Sequence, residues 1–80
     1  MVDRNLVRVL RLLNDGGPIN AEDIENNLHL SPQTLARIDD ALVKAGMAQR
    51  VRGHKHTYEI TDFGRSGLPT LEQIVRSQPR

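Results

Sequence analysis

The stretch Asn20–Gly46, NAEDIENNLHLSPQTLARIDDALVKAG, constrains this chain more than any other, because two helix starts and two helix stops fall inside one short segment. Asn20 is placed to cap a first helix whose apolar residues Ala21, Ile24 and Leu28 recur three and four apart. Glu22, Asp23 and Glu25 suit the positive end of its dipole. His29 and Leu30 form a bend, with His29 filling space beside Leu30. Ser31 offers a hydroxyl for a second cap, and Pro32 sits where a missing amide hydrogen costs nothing. The second helix, 32–45, carries Leu35, Ile38, Leu42 and Ala45 as one apolar stripe with Ala41 beside it. Gly46 then ends it in a left-handed cap, and Met47 folds back on the last turn.

Outside that stripe lie Gln33, Thr34, Arg37, Asp40 and Lys44, most of them toward the helix N-terminus. A helix-turn-helix presents this end to base edges in the major groove of DNA. A blander arrangement stays open, in which Arg37 pairs with Asp39 or Asp40, and Asp40 with Lys44, on a solvated face.

The flanking segments supply the rest of a small fold. A helix from about Asp3 to Asn14, capped by Asp3, buries Leu6, Leu10 and Leu13, with Val7 and Val9 beside them. Asn14, Asp15, Gly16, Gly17 and Pro18 end it, and the lone Ile19 is available to pair with a later hairpin. After Gly46 the pattern changes to alternation. Val51, Tyr58 and Ile60 point inward and Arg50, Arg52, Thr57 and Glu59 outward, with the hairpin tip at Gly53, His54, Lys55 and His56. If Val51 faces Tyr58, Arg50 stands opposite Glu59. Gly64, Gly67 and Pro69 are expected to interrupt any long helix beyond the hairpin, leaving a short one capped by Thr70. Its apolar residues Leu71, Ile74 and Val75, with Leu68 just before, pack on their own domain or on a second copy. The last residues, Ser77 to Arg80, are expected to fray.

Eighty residues make one domain with one modest core. Tyr58 and Phe63 are its only aromatics, so Leu, Ile, Val and Ala must build that core, which favours helices. The predicted class is mostly α with a small β-hairpin (α+β), residues 1–66 forming the main domain and 67–80 a short helix and tail. Net charge is only +1, but it is unevenly spread: residues 1–45 carry −2 and residues 46–80 carry +3. Arg50, Arg52 and Lys55, with His54 and His56, form a local cationic patch. No cysteine is present, so disulfides and thiolate metal sites are excluded and a cytoplasmic location is permitted. No apolar run approaches the roughly 20 residues of a membrane span. His54 and His56, two apart with no third ligand nearby, do not make a zinc site. They are expected to add positive charge as pH falls. Ser31 has a capping role, and no phosphate loop or nucleophile–base set is present, so neither an enzyme nor a cofactor is expected.

The order helix, connection, helix-turn-helix, basic hairpin resembles the winged-helix DNA-binding domains over residues 3 to 66. LSPQTLARIDDALVKAGMAQRV is similar to the recognition segment of MarR-like and PadR-like regulators. YEITDFGR is similar to the stretch that follows the wing in the same group and starts another helix. The resemblance implies a winged helix-turn-helix with a three-helix core, a wing and a short C-terminal helix. It further implies a homodimeric transcription regulator of double-stranded DNA, with Gln33, Thr34 and Arg37 in the major groove. The wing, residues 50–57, would rest on phosphates or in the minor groove.

The expected DNA-binding set is Ser31, Gln33, Thr34, Arg37, Lys44, Arg50, Arg52, His54, Lys55 and His56. The expected dimer contacts are Leu68, Leu71, Ile74 and Val75. The length suggests a repressor that occludes its site, and the extra helices in which larger members sense effectors are missing, so no small-molecule ligand is expected. The alternative is a winged helix that binds protein through its acidic helix and apolar C-terminal segment.

Overall fold

Each helix begins where a short polar side chain meets a free amide, and those caps fix the architecture. In the computed structural model, which describes residues 1–79, Asp3 accepts from the Asn5 amide at 2.8 Å and opens α1 (Arg4–Gly16). Asn20 accepts from the Asp23 amide and opens α2 (Ala21–Leu28), and Ser31 accepts from the Thr34 amide and opens α3 (Pro32–Lys44). Ile19–Asn20 form a short strand, β1, and the hairpin strands are β2 (Ala48–Val51) and β3 (His54–Ile60). The three strands form an antiparallel sheet in the order β1-β3-β2, so Ile19 does pair with the hairpin, opposite Tyr58. Helix α4 (Asp62–Ser77) closes the fold.

The core is one cluster. Val7, Val9, Leu10 and Leu13 of α1 meet Ile24 of α2, Leu35, Ile38 and Leu42 of α3, and Ala48, Tyr58, Ile60 and Leu68 from the second half. Gly46, at φ 76°, lets the Met47 amide bond back to the Leu42 carbonyl at 2.9 Å, the return that ends α3 and aims the chain into β2.

Several expectations are corrected. Helix α4 is continuous through Gly67 and Pro69, and its cap is Thr61, not Thr70. Thr61 Oγ1 accepts from the Gly64 amide at 3.0 Å and donates to the Gly46 carbonyl at 2.6 Å, tying the start of α4 to the end of α3. A Cβ at Gly64 would collide with the Met47 carbonyl, so this glycine marks a close approach of backbones and not a break. Pro69 is exposed, and having no N–H it cannot donate the helical bond to the Arg65 carbonyl. Packing on α1 outweighs that lost bond.

The C-terminus is tied down as well. Gln78 accepts from the Val2 amide at 2.6 Å and donates to the Val2 carbonyl at 3.0 Å. Fraying was expected there, and at Arg80 that expectation lies outside the described residues.

The hairpin register also differs. Arg50 pairs with Tyr58 and Gln49 with Glu59, and an irregularity between Arg50 and Val51 sets Val51 opposite His54. The cross-strand partner of Glu59 is therefore Gln49, bonded at 2.9 Å, and not Arg50. The turn shrinks to Arg52 and Gly53.

Candidate nucleic-acid interface

Burying Leu35, Ile38 and Leu42 leaves the opposite side of α3 in solvent. Ser31, Gln33 and Arg37 are exposed and Thr34 is half-buried. Ser31 also donates to Thr34 Oγ1 at 2.9 Å, which fixes both hydroxyls at the helix start. Pro32 has no N–H, and the Thr34 and Leu35 amides are bonded to Ser31. The Gln33 amide is then the first-turn donor left without an intrahelical partner, at the positive end of the dipole.

Arg37 does not pair with Asp39 or Asp40. Its Nη1 donates to Asp3 Oδ2 at 3.3 Å, while Asp3 Oδ1 caps α1, so one carboxylate starts one helix and orients a cation on another. With 65% of the Arg37 side chain exposed, this ion pair is a weak restraint. Lys44 is bound to Asp40 at 3.0 Å near the far end of α3, as the charged-face reading expected.

Strand β2 of the wing packs against α3. Arg52, His54, Lys55 and His56 are all exposed, and among the described residues none of them holds an ion pair or side-chain hydrogen bond. Arg50 is different. Although exposed, its guanidinium lies 5.5 Å over the centroid of the Tyr58 ring. The two histidines sit in β3 and not at a loop tip, and no group of three metal-ligating side chains converges among the described residues.

Two residues were misplaced in the sequence reading. His29, expected to fill space beside Leu30, is exposed. It takes φ 55° and caps α2, its amide bonding to the Glu25 carbonyl. Asp39 belongs to the buried side of α3, at 4% exposure, whereas Ala41 and Ala45 of the expected stripe are exposed. The signal was present in the spacing, since position 39 lies four after Leu35 and three before Leu42.

The four expected dimer contacts also divide. Leu68 is buried in the chain's own core, Leu71 and Val75 pack against that core, and only Ile74 is exposed. The C-terminal helix therefore packs on its own domain.

With the helix pair, the exposed α3 start and the adjoining wing established, comparison with known proteins decides the family. Residues 2–55 match the MarR family. The chain belongs to the MarR family. MarR proteins are winged helix-turn-helix transcription regulators and not enzymes, and the four helices with a small three-stranded sheet described above are that fold. Two solved structures agree over 98% of this chain. One is the crystal structure of RV1404 from Mycobacterium tuberculosis, with TM-score 0.76, 22% identity and 62% of that chain covered. The other is the structure of reduced AbfR bound to DNA, with TM-score 0.73, 24% identity and 60% of that chain covered. This chain thus spans about three-fifths of the length of each. No curated protein matches it in sequence. No helix among the described residues is long and apolar enough to cross a membrane.

Proposed function

We propose that this MarR-family domain binds double-stranded DNA sequence-specifically and acts in the cytoplasm as a small transcription repressor, occluding its site. The observation that carries the reading is the pairing of an exposed, polar α3 start with a wing whose cations have no partner among the described residues. Helix α3, about 10–12 Å across with its side chains, fits a major groove roughly 12 Å wide.

Arg52, Lys55 and the Gln33 amide position the domain on phosphates, and Gln33, Thr34 and Arg37 read base edges. Gln33 suits adenine and Arg37 guanine, each worth about 1–3 kcal/mol of discrimination when bidentate. To reach a base, Arg37 leaves Asp3, which is a small loss for so exposed a pair. Ser31 acts through its cap, and Lys44, held by Asp40 at the distal end, contributes least. The AbfR structure, a fold relative bound to DNA, supports the reading.

We also propose that the domain works as a homodimer, with Ile74 the exposed apolar residue left to contribute to that contact. A twofold pair matches half-sites about 34 Å apart.

Titration of a randomised duplex pool followed by selection, with sedimentation to count chains per complex, tests the proposal. Enrichment of a palindromic sequence, and an affinity that falls by orders of magnitude between about 50 and 200 mM salt, is the expected result. An unselected pool with no salt dependence refutes it and favours a protein partner.

A further inference from the structure

Arg37 has two acidic neighbours on its own helix and uses neither. Asp40 is bound to Lys44 at 3.0 Å, and Asp39 is buried on the apolar side. The guanidinium instead reaches across to the start of α1, where its Nη1 donates to Asp3 Oδ2 at 3.3 Å.

That carboxylate is fixed independently of Arg37. Asp3 Oδ1 accepts from the Asn5 amide at 2.8 Å, so the act of capping α1 sets its orientation. Val2, the residue before it, has its amide and its carbonyl both bonded to the Gln78 side chain, at 2.6 and 3.0 Å, which fastens this end of the chain to the end of α4. Only Oδ2 is left over, and it faces the guanidinium. Arg37 is by contrast a long side chain, 65% exposed, and its one bond to Asp3 leaves most of its N–H donors free. A fixed acceptor beside a mobile donor gives that donor a place to return to.

We propose that Asp3 is a specificity-determining residue: it is the alternative partner that Arg37 keeps when the base before it is not guanine. The proposal rests on the reading of Arg37 as a base contact given above. Discrimination is a difference between two affinities, and Asp3 acts on one of them. At guanine, Arg37 gains a bidentate contact and gives up the ion pair. At a base that offers no such contact it stays with Asp3 and loses nothing relative to the free protein. The ion pair therefore subtracts from binding at guanine alone, which narrows the gap between right and wrong base pairs and widens the range of sequences the domain accepts. A carboxylate that acted only by repelling phosphates would weaken binding to every sequence alike. Base dependence separates the two effects.

Asp3→Asn is the variant that isolates the ion pair, because asparagine caps a helix as well as aspartate does and carries no charge. Four duplexes that differ only at the base pair whose preference Arg37→Ala relaxes are titrated with wild type, Asp3→Asn, Arg37→Ala and the double variant. Asp3→Asn should tighten binding to the guanine duplex by about two- to fivefold, the scale of one exposed ion pair, and leave the other three unchanged. The gain should disappear in the Arg37→Ala background. Asp40→Asn, which removes from α3 a carboxylate paired with Lys44 and not with Arg37, should change all four affinities by the same factor. NMR supplies an independent reading: the Arg37 guanidinium signal should differ between wild type and Asp3→Asn in the free protein and on the three other duplexes, and coincide on the guanine duplex.

A gain equal on all four duplexes, no gain at all, or a gain that survives Arg37→Ala overturns the role of Asp3 while leaving Arg37 as a base contact. If Arg37→Ala relaxes no base preference, the base-contact reading itself falls, and the role of Asp3 with it.

Discussion

The arginines of α1 and the cations of the wing carry the same charge and are comparably exposed, yet they stand in opposite situations. Arg11 forms an ion pair with Glu72 of α4, Arg4 donates to the Gln78 carbonyl at 3.3 Å, and Arg8 donates to Asn5 and, at 3.2 Å, to the Leu28 carbonyl at the end of α2. Arg52 and Lys55 hold no such partner among the described residues. The first group fastens helices to one another, and the second is left for something outside the chain. Net charge, at +1, conceals this division completely. For a phosphate backbone, a cation already satisfied by its own fold is a weak donor, so partnership matters more than count.

The sharpest way to break the comparison is on the fastening side. Gly64→Ala forces a Cβ against the Met47 carbonyl where α4 crosses the end of α3. Denaturant unfolding should show a loss of about 2–4 kcal/mol, the range of severe packing clashes, with DNA affinity kept while the protein is folded. Next comes the wing. Arg52→Gln with Lys55→Gln should weaken binding to all sequences alike and reduce the salt slope by about 2, whereas Arg4→Gln with Arg11→Gln should leave that slope unchanged. Arg37→Ala, in contrast, should cost about 1–3 kcal/mol at one base pair in competition titrations and little on random DNA.

A smaller effect separates two neighbours on α3. Asp40 is exposed and paired with Lys44, while Asp39 is buried and raised to about 6 from 3.8. Between those two values the folded state holds a proton that the unfolded chain has released. Stability therefore falls as pH rises from 3.8 through 6, by up to about 1–3 kcal/mol, and stays reduced above. Melts of wild type and Asp39→Asn should converge at low pH and separate above pH 6, with the variant the more stable. The smallest expected change is His29→Gly, which removes a left-handed non-glycine residue from the turn and should stabilise by about 0.5–1 kcal/mol. His29→Val should destabilise.

What could be read in the sequence was what depends on few neighbours. Asp3, Asn20 and Ser31 announce their helices because a cap involves only the next three residues. Gly46 and Met47 end α3 for the same reason. The course of α4 was illegible because Pro69 and Gly67 are locally unfavourable to a helix, and contacts of Leu68, Leu71 and Val75 with the rest of the fold override them. The wing register depended on an irregularity after Arg50 that alternation alone does not mark. Asp39 was left out of the buried stripe, although the spacing of Leu35 and Leu42 already placed it inside. In the interface, the exposed residues of α3 could be listed from the stripe. The partners of the interface cations, Asp3 for Arg37 and Tyr58 for Arg50, could not, because each lies on a different element.

The most direct trial of this account is a map of backbone amide shifts as a duplex selected by the protein is added. Shifts concentrated at residues 31–37 and 52–56, with Arg4, Arg8 and Arg11 unmoved, are what the division between fastening and free cations predicts. Shifts concentrated along the α1–α4 groove, with the α3 start and wing silent, would contradict it.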